Sequence, residues 1–173
     1  MDKEEYYMAH AKLAGSMSHC IRHKVGAVLV RDSRVICEGR NGTISGQPDC
    51  CEMECPECNG GKIGSTLEAS KTSPNIDNTC KECGGEGIIT NQYVVHAEQN
   101  LITFAAKEGI RTDGTTMYVT LSPCIVCAKL IIQSGITKVV FMDAYRDLSG
   151  VNFLRKVGIK VEQHKKNQEK TID

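Results

Sequence analysis

Val95-His96-Ala97-Glu98 and, further along, Ser122-Pro123-Cys124-Ile125-Val126-Cys127 decide how this chain folds. Together they spell His-x-Glu and Pro-Cys-x-x-Cys. One imidazole and two thiolates suit Zn²⁺ with one coordination position left over, which separates a catalytic site from a closed structural one. Zinc lowers the pKa of a water it binds to roughly 7, and Glu98 stands next to the ligand to carry that proton. The pattern also constrains the backbone. His96 and Glu98 are two residues apart, about 200° round a helix, so they serve one site only if a helix begins there. Cys124 and Cys127, three apart, share a helix face, and Pro123 suits the entry to a first turn. Helix N-termini favour thiolates. Two helices with their positive ends aimed at one metal are therefore expected.

Working outward, residues 4–18 place Tyr7, Ala11, Ala14 and Met17 at helical spacing behind an acidic start. Residues 25–30 are a short apolar run typical of a buried strand, Asp32-Ser33 turns it, and residues 35–39 return. Cys37, alone in that second strand, reads as core filler. A helix is predicted over 96–107, with Leu101, Phe104 and Ala105 at its spacing. A third strand over 116–121 leads straight into the Pro-Cys motif. A helix over 125–134 ends at Gly135, and a fourth strand covers 138–142. A helix over 150–157 stops at Gly158 before a fifth strand over 159–162. Strands alternating with helices imply an α/β class, a three-layer α/β/α domain around a five-stranded mixed sheet.

Residues 46–91 break that rhythm with a polar, glycine-rich stretch lacking apolar periodicity. A loop so long within one domain needs a cause. Cys55-Pro56-Glu57-Cys58 and Cys80-Lys81-Glu82-Cys83, each followed by glycines, form a weak internal repeat similar to the cysteine–glycine zinc modules of the DnaJ type. Four thiolates, Cys55, Cys58, Cys80 and Cys83, would close a structural zinc site and fold a segment too poor in apolar residues to fold alone. Cys20 and Cys50 are the alternative ligands.

At 173 residues the chain is expected to be a single domain over 1–173 with an insertion at about 46–91. Lys+Arg and Asp+Glu both number 21, so no basic excess points to nucleic acid, and a small-molecule substrate fits better. Six of the ten cysteines lie in Cys-x-x-Cys pairs, which read as metal ligands in a reducing compartment. The acidic opening Met1-Asp2-Lys3-Glu4-Glu5 lacks an apolar signal core. No apolar run approaches the roughly 20 residues a membrane span needs. A soluble, cytoplasmic protein is expected (host cytoplasm for a phage-encoded one), with no membrane partner.

The residues in view resemble the deoxycytidylate (dCMP) deaminases of the cytidine deaminase-like superfamily, phage forms included. Beyond the metal motifs the resemblance rests on residues 25–28, Gly39-Arg40-Asn41-Gly42, His96-Ala97-Glu98-Gln99-Asn100, residues 118–124 and Asp143-Ala144-Tyr145-Arg146. It implies hydrolysis of dCMP to dUMP and ammonia, supplying dUMP for thymidylate synthesis, with Glu98 shuttling protons to the ring nitrogen and the departing amine. It also implies that Ala97, Thr120 and Ser122 hold the cytosine edge, Asn41 the deoxyribose, and Arg22 and Tyr145 the 5′-phosphate, for which an Arg fork is well suited. Family members are commonly hexamers, activated by dCTP and inhibited by dTTP through a loop matched here by Arg40, Asn41 and Gly42. Arg40 stands where the family usually has Tyr, which opens the question of whether that control survives. Phage relatives bind a second zinc; Cys20 and Cys50 match two of its ligands, whereas Val94 and Glu86 stand where a Glu and a His would be. A tRNA adenosine deaminase, which carries similar metal motifs, and a non-catalytic zinc-scaffolded interaction protein are the competing readings.

Overall fold

A computed structural model describes residues 2–46, 51–58 and 80–164. Helix α1 (Lys3–Ser16) opens on Asp2, whose carboxylate accepts the Glu5 N–H at 2.7 Å and satisfies a first-turn donor. Strands β1 (Gly26–Arg31) and β2 (Arg34–Arg40) form a hairpin across Asp32 and Ser33, both at positive φ, as the tightest hairpin turns require. Four short strands follow: β3 (Gly42–Thr43), β4 (Glu52–Glu54), β5 (Ile88–Thr90) and β6 (Val94–Val95). Then helix and strand alternate through α2 (Ala97–Lys107), β7 (Thr116–Leu121), α3 (Ile125–Gln133), β8 (Lys138–Asp143), α4 (Ser149–Lys156) and β9 (Lys160–Gln163).

The main sheet runs β2-β1-β7-β8-β9, antiparallel across β2-β1-β7 and parallel across β7-β8-β9. It is the expected five-stranded mixed sheet. Both faces of its centre are covered, so β1, β7 and β8 read as near-continuous apolar runs rather than alternating ones. Ala27, Leu29, Met117, Val119, Val139 and Phe141 pack against α2, α3 and α4. The residues between them, Val28, Val30, Tyr118 and Val140, pack against Tyr7, Met8 and Ala11 of α1. The two-residue period of a strand thus divides one apolar run between two cores, and the three layers follow. Gly15 is the cost of bringing α1 down: a Cβ there would lie 2.8 Å from the Gly26 nitrogen, and one on Gly26 would collide with the Ala11 carbonyl. Among the described residues no helix is long and apolar enough to cross a membrane.

The stretch expected to lack regular structure contains a hairpin. β4 pairs antiparallel with β5, Glu52 opposite Thr90 and Glu54 opposite Ile88, while β3 pairs with β6. Strands of two or three residues are too short to leave a periodic signal, and their pairing is closed by residues distant in sequence. The alternative ligand Cys20 has its sulfur bonded to Cys51. The segment before β1 is pinned so that the Cα atoms of Cys20 and Cys51 lie 4.9 Å apart, within disulfide range. Cys50 lies outside the described residues.

Candidate active site

His96 is the N-cap of α2, extended in backbone, its N–H donating to Gln99 Oε1 at 2.9 Å. Cys124 is the N-cap of α3. Both helices therefore present their first turns to one point, as the His-x-Glu spacing demanded. His96 Nδ1 lies 3.6 Å from Cys124 Sγ and 3.4 Å from Cys127 Sγ. Bonds of about 2.3 Å to sulfur and 2.0–2.1 Å to nitrogen, set tetrahedrally, would separate S and N by about 3.5 Å, so the three donors already stand at zinc-binding separation. Among the described residues they form a three-donor set, with Cys127 buried, Cys124 half-buried and His96 exposed. The electrostatics suit a cation. Hydrogen bonding from the Cys127 thiol, then from the His96 ring, lowers Cys124 to about 3. The adjacent Cys124 sulfur and burial push Cys127 up. His96 is raised by its contact with Cys124.

Glu98, in the first turn of α2, is 4 % exposed, and burial pushes its carboxyl above the usual range. It lines a cavity of about 200 Å³ together with His96, Ala97, Ser122 and Cys124. A carboxyl closed off from bulk water beside a three-donor metal set is equipped to move protons between a water and a substrate. Gly150, at the start of α4, packs against the turn that carries Cys124. A Cβ there would meet the Pro123 carbonyl and sit 2.6 Å from the Cys124 carbonyl carbon, so only glycine lets α4 close on the Pro-Cys turn. In the sequence Gly150 marks only the start of a helix.

Of the other predicted contacts, Arg22, Asn41 and Tyr145 line the same cavity. Asn41 is nearly buried, and its amide is engaged by the backbone: Val25 N–H donates to Oδ1 and Nδ2 donates to the His23 carbonyl, both at 2.8 Å. It shapes the loop before β1 while exposing one flank to the cavity. The Tyr145 N–H donates to Ser122 Oγ at 2.8 Å, which joins those two predicted contacts in one turn. Thr120 does not reach the cavity wall; its hydroxyl accepts the Gly26 N–H at 3.1 Å. Strand alternation puts position 120 on the face of Tyr118, toward α1, and that signal was present in the sequence. Glu52 was missed. Its Oε1 accepts the Ile21 and Arg22 N–H groups at 2.9 and 3.0 Å, fixing the loop that carries Arg22.

A second cavity, of about 440 Å³, is lined by His19, Arg40, Gly42 and Asn100, and Asn41 borders both. The candidate effector residues thus adjoin the first cavity through one side chain.

Cys55, Cys58, Cys80 and Cys83 converge, all four sulfurs within 4.8 Å of one another. Cys55 and Cys80 are 3.7 Å apart and Cys58 and Cys83 3.5 Å, against about 3.8 Å for two thiolates across a tetrahedral zinc. The Gly87 N–H donates to Cys83 Sγ at 3.2 Å, and against the upward pull of burial such donors hold that thiol down at about 7. Four soft sulfur donors at these separations fit a closed zinc site.

Residues 1–143 match the family description of the cytidine and deoxycytidylate deaminase zinc-binding region. The chain is 37% identical to the deoxycytidylate deaminase of Enterobacteria phage T4, over 87% of this chain and 84% of that protein. It is 33% identical to the deoxycytidylate deaminase of Saccharomyces cerevisiae over 98% of its own length, but spans only 47% of the yeast protein, and 44% of the Schizosaccharomyces pombe one. Its fold matches the crystal structure of the dCMP deaminase from cyanophage S-TIM5 in complex with dCMP and dUMP, with a TM-score of 0.72 at 33% identity, covering 93% of this chain and 96% of that one.

Proposed function

Because this chain belongs to the cytidine and deoxycytidylate deaminase family, we propose that it hydrolyses dCMP to dUMP and ammonia, supplying dUMP for thymidylate synthesis. The observation that carries this is the buried Glu98 lining one cavity with the His96–Cys124–Cys127 donor set. Those three residues would hold zinc, which when bound supplies an activated water at neutral pH.

The chain's own residues do the rest. Glu98 takes a proton from water and passes it to the ring nitrogen beside the amino-bearing carbon, as the water oxygen bonds to that carbon. It then carries the remaining hydroxyl proton to the amine, the C–N bond breaks, and ammonia leaves a uracil ring. The raised affinity of Glu98 for protons favours both collections. The Ala97 backbone and Ser122 border the base, Asn41 the sugar, and Arg22 and Tyr145 the 5′-phosphate. Arg22 is the one Lys or Arg among the described residues lining the cavity, which suits a phosphorylated substrate.

Zinc at Cys55, Cys58, Cys80 and Cys83 is a second, structural ion, so the protein carries two. Control by dCTP and dTTP acts at the cavity bordered by Arg40, Asn41 and Gly42, as the sharing of Asn41 between the two cavities supports. The chain is a single deaminase domain bearing an insertion, works in the cytoplasm, and assembles as a homo-oligomer, a hexamer by family resemblance.

Assays of CMP, dCMP, dCTP and cytidine, with zinc measured on the same sample, test this. Ammonia release with dCMP strongly preferred, and two zinc ions per chain, is expected. A fully metallated protein that deaminates none of the four would refute it.

A further inference from the structure

The cysteine cluster and the substrate cavity are joined by a chain of contacts that the proposed reaction does not use. The Glu86 N–H donates to the Cys83 carbonyl at 3.2 Å, and the Gly87 carbonyl accepts the Cys55 N–H at 2.9 Å, so residue 86 is held between two cysteines of the cluster. Its carboxylate reaches out to Arg22, with Oε2 2.8 Å from a guanidinium nitrogen. The backbone of Arg22 is fixed from the same insertion, through Glu52 on β4. The neighbouring Cys20 is tied to Cys51. Arg22 itself belongs to no helix or strand. Every restraint on it among these contacts comes from the insertion.

Resting on the reading of Arg22 as the phosphate contact, we propose that Glu86 is a positioning residue: the four-cysteine module holds it so that it sets the Arg22 guanidinium for the 5′-phosphate of the substrate. An arginine has five donors, and one carboxylate oxygen occupies few of them, so the fork keeps others for a phosphate. A long side chain on an irregular loop loses much rotamer freedom when it binds, and a preset partner removes part of that cost. The Glu86 side chain is 57% exposed, so solvent screens its charge from an incoming phosphate, and positioning outweighs repulsion. In this arrangement the insertion contributes to selecting nucleotides over nucleosides, although none of its described cysteines lines the cavity.

The test uses the full zinc-loaded chain and its Glu86→Ala, Glu86→Gln and Arg22→Ala variants, with calorimetric Kd values for dUMP and deoxyuridine beside dCMP kinetics. Glu86→Ala is expected to weaken dUMP binding and raise KM for dCMP by about three- to fivefold, the range of a partly exposed ion pair. It should leave kcat, zinc content and deoxyuridine affinity near wild type, with Glu86→Gln intermediate. Unchanged or tighter dUMP binding by Glu86→Ala would overturn the proposal, as would equal losses for dUMP and deoxyuridine. Arg22→Ala separates the two levels. If it abolishes the preference for dUMP over deoxyuridine while Glu86→Ala does not touch it, Arg22 binds phosphate and Glu86 does not position it. If Arg22→Ala keeps the full preference, the phosphate role of Arg22 fails and the role of Glu86 falls with it.

Discussion

Replacing Glu98 by Gln keeps the volume and buried hydrogen-bonding capacity of the side chain but removes its ability to accept and return a proton. General acid–base catalysis contributes about 10²–10⁴ in rate, roughly 3–5 kcal/mol of barrier. The upper part of that range is expected, because the described residues of the cavity wall offer no ready substitute. The other carboxylate on its wall, Glu52, already accepts the Ile21 and Arg22 N–H groups. The assay is kcat for dCMP with zinc quantified on the same preparation, and the metal should stay, since Glu98 lies outside the donor set. The substitution also has a signature that turnover does not see. Burial raises the Glu98 carboxyl above its unfolded value, so the metal-free folded state binds more protons than the unfolded one across that interval. Its contribution to stability is therefore complete below the ordinary glutamate range and is lost as pH rises through the folded pKa. Glu98→Gln should flatten that fall in denaturant titrations of the metal-free protein at several pH values. A zinc-replete variant with near wild-type kcat would refute the catalytic role, and an unchanged pH profile would refute the burial argument.

Gly26→Ala drives a methyl into α1 at the Ala11 carbonyl; overpacking of this kind costs about 1–3 kcal/mol, and a melt should show it at roughly 2–4 °C per kcal/mol, with zinc content unchanged. Cys80→Ser with Cys83→Ser should remove one zinc by atomic absorption, keep the other, and raise KM for dCMP more than it lowers kcat, because Glu86 loses its support. Loading zinc into the metal-free protein at neutral pH should release the Cys127 proton, since Cys127 is pushed up and a ligand must be a thiolate; an indicator dye in weak buffer reads it, and no acidification would contradict the ligand assignment.

The parts of the fold that were legible in the sequence are those whose cause is local. A single residue between His96 and Glu98 leaves a helix few places to begin, and α2 begins at Ala97. Pro123 before Cys124 does the same for α3, and apolar runs at regular spacing marked each strand of the main sheet. The convergence of Cys55 and Cys58 with Cys80 and Cys83 was also legible, because paired thiols in a polar stretch have few other uses. What stayed hidden is contact across distance. Glu52 caps a loop some thirty residues earlier in the chain, and Glu86 meets Arg22 across more than sixty. No composition or period encodes such a meeting; it follows from a hairpin whose strands are three residues long. The direction of the Thr120 side chain was legible too, since the simple parity of a strand puts it on the Tyr118 face.

The absent side chain of Gly150 reaches further than its own helix. The family description stops at residue 143, yet α4 begins at Ser149 and rests its first turn on the peptide that carries Cys124. A fragment trimmed to the matched length would keep every metal donor and still uncover the turn that aims one of them. The boundary of the recognisable motif is therefore not a boundary at which this protein can be cut, and truncations meant to isolate a minimal deaminase should retain α4 at least through Leu154, which is fully buried in the main core.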